Sequence, residues 1–464
     1  MPERPRDASI RRSIEQRRAE RRSFAPTPFD APYELQANHV IAQPVLEAAS
    51  ARRERAGEPT SAPRALRWTW RQVWLLALLA VLMSAGRARA QANVRTPGEQ
   101  LEVYLMTMGP GDQVWERFGH NAVGIRNRAT GADVVYNWGV FDFRQADFLP
   151  RFLRGEMRYS VEAYDARAVL AFYRDINRSV SVQELALTPA QRLALKEFVE
   201  WNALEANKHY RYDYFVDNCS TRARDALDKA LGGLLRRQFE GSGSGRSFRD
   251  EARRLADADV LYTGIDMGLG APSDREMTRH EALFIPMRLR DALREVQVPD
   301  SSGGTRPLVA SERELFRAAR PAELSAPANH QGRYALIGLA LTSVLALLAR
   351  FSPRVERAAA VAWCALCGLL GLLLVLLWGF TQHIWAYQNM NLLFLNPLWW
   401  GLAWIVWRRG VLQARARAFV GVVGVLALLG IVLGLLRTPQ HSEQVALLVA
   451  APHAWVLVRR WRAS

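Results

Sequence analysis

The sequence predicts an α+β domain followed by an α-helical membrane domain of five helices. Apolar stretches at about 334–349, 361–380, 391–407, 418–436 and 445–458 follow one another in the C-terminal part of the 464-residue chain. The longer ones reach the roughly 20 residues that cross a bilayer. Ahead of them, strand-like alternation at Leu101–Met108 and His120–Arg126 gives way to helical spacing downstream. A further apolar run, Val73 to Gly86, follows a basic stretch and precedes Ala88-Arg89-Ala90-Gln91, the layout of a secretory signal or an uncleaved anchor.

Taken in order, residues 1–71 are rich in Arg, Pro and Ala with little periodicity and read as a disordered basic leader. Its length is unusual ahead of an export signal, and a misplaced start codon would account for it. Residues 72–90 are the signal peptide or signal anchor, 91–333 the exported domain and 334–464 the membrane domain. Within 91–333, Leu101–Met108, His120–Arg126 and Val134–Phe141 read as three strands separated by turns. Asp147–Gly155 and Asp165–Ser179 look helical. Thr188-Pro189 opens a helix to about Leu204, with Thr as cap and Pro at the first position. Asn218-Cys219-Ser220-Thr221 opens another, because Ala223, Leu227, Ala230, Leu231 and Leu234 recur at helical spacing until Gly232-Gly233. Gly241–Gly245 reads as a flexible loop, suited to a lid or a substrate cleft.

A formal net charge of +16 invites a nucleic-acid partner, but its distribution argues against one. Residues 91–333 hold 34 basic and 34 acidic residues, whereas 334–464 hold 11 Arg and 2 acids. The membrane-side surplus sits in alternate loops: Arg350, Arg354 and Arg357, then Arg408, Arg409, Arg415 and Arg417, then Arg459, Arg460 and Arg462. By the positive-inside rule those loops are cytoplasmic, so the exported domain and the loop at about 381–390 share the outer side. The export signal gives the same orientation independently.

Cys219 is the lone cysteine of the exported domain and stands where a helix begins, after Asp217 and Asn218, either of which can cap it. Free N–H groups and the positive helix end favour a thiolate there, the form that acts as a nucleophile. The alternative is a small buried apolar residue. His120, opening the second strand, can take the thiol proton and return it to a leaving group. Asn137 on the next strand is the candidate that orients the imidazole. Each has a structural alternative: a satisfied histidine and an ordinary strand-end asparagine.

On the outer membrane side, His383 lies in an uncharged polar loop with Gln382, Gln388, Asn389 and Asn391, a candidate contact for a lipid head group or acceptor. The alternative is an interfacial aromatic belt with Trp385 and Tyr387. Cys364 and Cys367 have redox or zinc spacing but lie in an apolar helix without nearby ligands, and read as structural. Asp266, Asp274 and Glu281 lack tight ligand spacing, so no metal and no cofactor is expected.

Residues 101–290 resemble permuted thiol hydrolases of the NlpC type, a papain-like class in which the His strand precedes the Cys helix, as in lecithin:retinol acyltransferase. A closer resemblance is carried by Pro110-Gly111-Asp112, Phe118-Gly119-His120-Asn121, Tyr136-Asn137-Trp138-Gly139, Tyr214-Phe215 and Asn218-Cys219-Ser220-Thr221. Gly268-Leu269-Gly270, Pro272, Asp274 and Phe284-Ile285-Pro286 continue it, and Gln382-His383, Asn389, Asn391 and Asn396-Pro397 extend it into the membrane half. In these segments the chain resembles the bacterial lipoprotein N-acyltransferase family Lnb. The resemblance implies a bacterial inner-membrane enzyme with a periplasmic catalytic domain. Cys219 would take an acyl chain from a phospholipid as a thioester, with His120 as base and then acid. A diacylglyceryl-cysteine lipoprotein would accept the chain on its N-terminal amine. Asp112, Asn121, His383, Asn389 and Asn391 would lie on the substrate side, with the membrane as partner and no nucleic acid. The alternatives are a membrane-tethered cell-wall amidase or peptidase of the same Cys–His chemistry, and a non-catalytic membrane scaffold.

Overall fold

Leu101–Met108 (β1) is buried at nearly every position, which requires cover on both faces of the sheet. The computed structural model describes residues 96–462 apart from 144, 146, 257–258, 301 and 409–412. The leader 1–71 and the signal segment 72–90 lie outside the described residues. β1 is an interior strand of a seven-stranded antiparallel sheet. The others are β2 (His120–Asn127), β3 (Asp133–Val140), β4 (Arg158–Asp165), β5 (Val180–Leu185), β6 (His209–Arg211) and β7 (Val309–Phe316), in the order β7-β5-β1-β2-β3-β4-β6.

Alternation along the strands loads both faces. Leu101, Val103, Leu105, Val123 and Trp138 face Leu195 and Val199, and Ala223 and Leu227. Those belong to α3 (Pro189–Ala203) and α4 (Cys219–Ala230). Tyr104, Met106, Ala122 and Val135 face Val169 and Tyr173 of α2 (Ala166–Asp175); the short α1 (Phe148–Arg154) precedes β4. Thr188 and Pro189 start α3 as their chemistry dictates, with Gln191 completing a capping box.

The structure adds strands that the sequence pattern did not mark, and one expectation changes. The two helices read at Asp147–Gly155 and Asp165–Ser179 form as α1 and α2, and β4 fills the stretch between them; its last residue, Asp165, also caps α2 by accepting from the N–H groups of Arg167 and Ala168. The strand therefore passes into the helix without turn residues to mark it. β7 is an exposed, charged edge strand, the composition that blunts an open edge and that hides the apolar alternation. Gly241–Gly245 is not a free loop over a cleft, because Gly243–Ser247 pairs with Glu276–Thr278.

Among the described residues the membrane half has five α-helices: α7 (Gln331–Phe351), α8 (Pro353–Phe380), α9 (Leu398–Trp407), α10 (Ala414–Leu435) and α11 (Glu443–Arg462), after α5 (Phe248–Leu255) and α6 (Asp259–Gly268) of the preceding domain. Among the described residues, four segments are long and apolar enough to cross a membrane: α7, α8, Met390–Trp407 including α9, and α10. The fifth, α11, differs because it buries Glu443, Gln444 and His453 and holds Pro452 in its interior. His453 is satisfied there, accepting from Trp363 Nε1 at 3.1 Å and donating to the Phe394 carbonyl at 2.9 Å.

A buried polar joint ties the two halves together. Arg253 of α5 binds Asp266 of α6 at 2.7 Å, Glu443 of α11 at 3.0 Å and the His441 carbonyl at 2.7 Å. Arg249, fully buried beside it, holds Asp266 and Asp274. These carboxylates, weighed above as metal ligands, are paired with guanidinium groups, as buried charges must be.

Candidate active site

The reciprocal cap at Asn218 fixes where Cys219 stands. Asn218 Oδ1 accepts from the Thr221 N–H at 2.9 Å, and Thr221 Oγ1 accepts from the Asn218 N–H at 2.8 Å. Asp217 does not cap; it pairs with Arg222 at 2.6 Å. Cys219 is thus the first residue of α4, against the positive helix end. It is 8% exposed, and such burial raises a thiol pKa. The charge and hydrogen bond of His120 and the N–H groups of Asn121 and Ser220 outweigh that effect and hold the pKa below its ordinary value.

β2 delivers His120 and β3 delivers Asn137, neighbouring strands whose side chains meet: Nε2 of His120 donates to Oδ1 of Asn137. With Nε2 engaged, Nδ1 is the nitrogen available to the thiol. Structure therefore brings Cys219, His120 and Asn137 into one chain of contacts.

Two further members were not among the site residues read from the sequence. Gly139 bulges β3 between Trp138 and Val140 at φ +93°, a backbone that favours glycine. A Cβ on it would lie 3.4 Å from Cys219 Cβ, 3.6 Å from His120 Cε1 and 4.0 Å from the Tyr210 hydroxyl. The reactive groups thus converge over bare backbone. The Tyr210 hydroxyl is buried without a hydrogen-bond partner among the described residues, and the Arg222 guanidinium lies 4.0 Å over its ring. Burial keeps its pKa well above the usual phenol value, so it stays an O–H donor.

The contacts of Asp112, Asn121, Asn389 and Asn391 lead elsewhere. Asn121 is fully buried and braces the site: its Oδ1 accepts from Thr107 at 2.8 Å, and its Nδ2 donates to Ser220 Oγ and the Pro286 carbonyl, each at 3.1 Å. Asp112 is exposed and held by Arg320. Asn389 and Asn391 are buried, donating to the Met267 carbonyl at 2.8 Å and 2.9 Å. They satisfy the carbonyl end of α6, which would otherwise be orphaned. Trp385 is not a lipid-facing belt residue either: it is buried and donates to Asp213 Oδ1 at 3.0 Å.

His383 lies at the boundary between domain and membrane half. Its Nε2 donates to the Phe152 carbonyl of α1 at 2.9 Å, and its ring stacks at 6.2 Å on Tyr214. Burial holds its pKa below the usual imidazole value. From Tyr214 the ring contacts run through Tyr212, Tyr159 and Phe141. They return to His383 through Phe148 and Phe152. This closed circuit of aromatic rings begins two residues after Gly139.

Residues 88–251 match the Lnb N-terminal periplasmic domain, and residues 332–461 match the Lnb transmembrane domain. Comparisons with curated proteins and with solved structures return no match. Together the two family models take in most of the chain, in the order its domains follow. The chain therefore belongs to the Lnb family, with its N-terminal domain in the periplasm and its helical domain in the inner membrane.

Proposed function

We propose that this protein is an N-acyltransferase of lipoprotein maturation that works through a thioester on Cys219. The observation that carries the reading is the contact chain Asn137–His120–Cys219, built on a helix start and two adjacent strands. In the first half-reaction Nδ1 of His120 takes the thiol proton and Sγ attacks the ester carbonyl of a phospholipid. The tetrahedral oxyanion collapses to a thioester, and the lysophospholipid hydroxyl leaves with the proton from His120. In the second half-reaction the N-terminal amine of a diacylglyceryl-cysteine lipoprotein attacks the thioester. His120 takes a proton from the amine and returns it to the departing thiolate. Tyr210, an O–H donor without a partner, is suited to the oxyanion. Asn137 acts as a positioning residue.

The order of His strand before Cys helix supports a permuted NlpC-type reading of the domain. Family membership supports lipoprotein N-acylation over cell-wall hydrolysis or a scaffold role. The test is purified full-length protein in nanodiscs containing phospholipid and a diacylglyceryl lipopeptide. N-acylated lipopeptide and lysophospholipid should appear together and vanish in Cys219→Ala. Cleavage of peptidoglycan fragments with phospholipid left intact would overturn the reading in favour of a hydrolase.

A further inference from the structure

The aromatic circuit ends in an apolar lip that the periplasmic domain turns outward. Phe143 is 55% exposed, Leu149 61%, Leu153 58% and Trp115 52%. Trp115 and Phe143 touch each other and Phe141. A soluble surface rarely groups large apolar side chains in this way without a partner.

What covers the lip follows from its joint to the membrane half. α1 carries Leu149, Phe152 and Leu153, and its last carbonyl, on Arg154, accepts from the Gln382 N–H at 2.7 Å. The next residue, Gly155, lies so close that a Cβ there would stand 2.9 Å from the backbone of Gln382 and His383. That loop directly follows α8, whose last residue, Phe380, is 75% exposed. The lip is therefore fixed at the periplasmic end of a membrane-spanning helix, at the loop that follows its exposed last residue. Arg151 and Arg154 on α1 suit the phosphate layer at that depth.

We propose that the lip inserts into the outer leaflet of the inner membrane, and that the aromatic circuit behind it receives a phospholipid acyl chain and presents its ester to Cys219. Insertion rests on the placement of α1 alone; presentation of the ester rests on the acyltransferase reading.

The experiment uses full-length protein in phospholipid nanodiscs, with the native thiols removed (Cys219→Ala, Cys364→Ala, Cys367→Ala) and a fluorophore on Leu149→Cys or Phe143→Cys. Ser302→Cys is the control, exposed in a hairpin beyond the opposite sheet edge. Doxyl-labelled lipid should quench the lip labels and spare the control; equal quenching would overturn insertion whatever the enzyme's activity. In protein with native thiols, Leu149→Glu with Leu153→Glu should slow thioester formation from bilayer phospholipid about 10-fold or more, because insertion would bury both leucines in the bilayer and the carboxylates oppose it. Alkylation of Cys219 by iodoacetamide should be unchanged, which reports an intact site. An unchanged thioester rate in that variant would overturn presentation through the lip.

Discussion

Nε2 of His120 donates to the side-chain oxygen of Asn137 across two adjacent strands, so the imidazole reaches Cys219 with its other nitrogen. The tautomer is set by a strand neighbour and not by the nucleophile. Removing the acceptor should release the ring without touching the thiol. Asn137→Ala is expected to slow thioester formation by about 10- to 100-fold, the usual cost of losing an orienting partner. Asn137→Asp, which keeps an acceptor oxygen, should recover part of it. Stopped-flow detection of lysophospholipid release measures both.

Tyr210 presents a protonated hydroxyl with no partner at the point where Cys219 and His120 converge. Tyr210→Phe keeps the ring and its contact with Arg222. The variant should fold normally and lose about 10²- to 10³-fold in rate if the hydroxyl stabilises the oxyanion. A structural role would instead appear as a lowered melting temperature at near-normal rate.

The thiol pKa of Cys219 is depressed, chiefly because His120 and two N–H groups overcome the opposing effect of burial. The thiolate is thus favoured in the folded protein, and iodoacetamide should react with Cys219 at pH values below the ordinary thiol range. Reaction should fade only as pH falls through the depressed pKa. His120→Ala removes the largest opposing influence and should move that profile to higher pH. The pH dependence of alkylation, followed by mass spectrometry, checks the sign.

Arg253 is buried between Asp266 and Glu443 and joins the periplasmic domain to α11. Arg253→Met would leave buried Glu443 with only the longer contact to Arg437 at 3.8 Å, and Asp266 with Arg249 alone. A loss of about 3–5 kcal/mol is expected, read as a lower unfolding temperature in detergent. Exposed Arg317, paired with Glu314 at the surface, should contribute little by the same measurement.

Much of the site was legible because local rules suffice for it. Asn218-Cys219-Ser220-Thr221 followed by helical spacing marks a capped helix start, and alternation places His120 and Asn137 on consecutive strands. Tyr210 was not legible: its importance lies in a missing partner, which only the folded surroundings reveal. Asn389 and Asn391 read as exposed polar groups beside a membrane, yet they bond to Met267, more than 100 residues earlier in the chain. No spacing rule encodes such a contact. β7 escaped because an edge strand is made of charge, and β4 because Asp165 serves both strand and helix. From composition only 361–380 and 418–436 reach membrane length alone; the structure extends two of the shorter stretches to that length, and burial of Glu443 and His453 sets α11 apart from the four spans.

The central claim is an acyl thioester on Cys219, and intact-protein mass spectrometry tests it most directly. Full-length protein incubated in nanodiscs of one defined phospholipid, without acceptor, should gain the mass of one acyl chain. The adduct should map to the peptide bearing Cys219, be released by neutral hydroxylamine and be absent from Cys219→Ala. Persistence of the adduct in Cys219→Ala, or N-acylation of lipoprotein by that variant at the normal rate, would contradict the account.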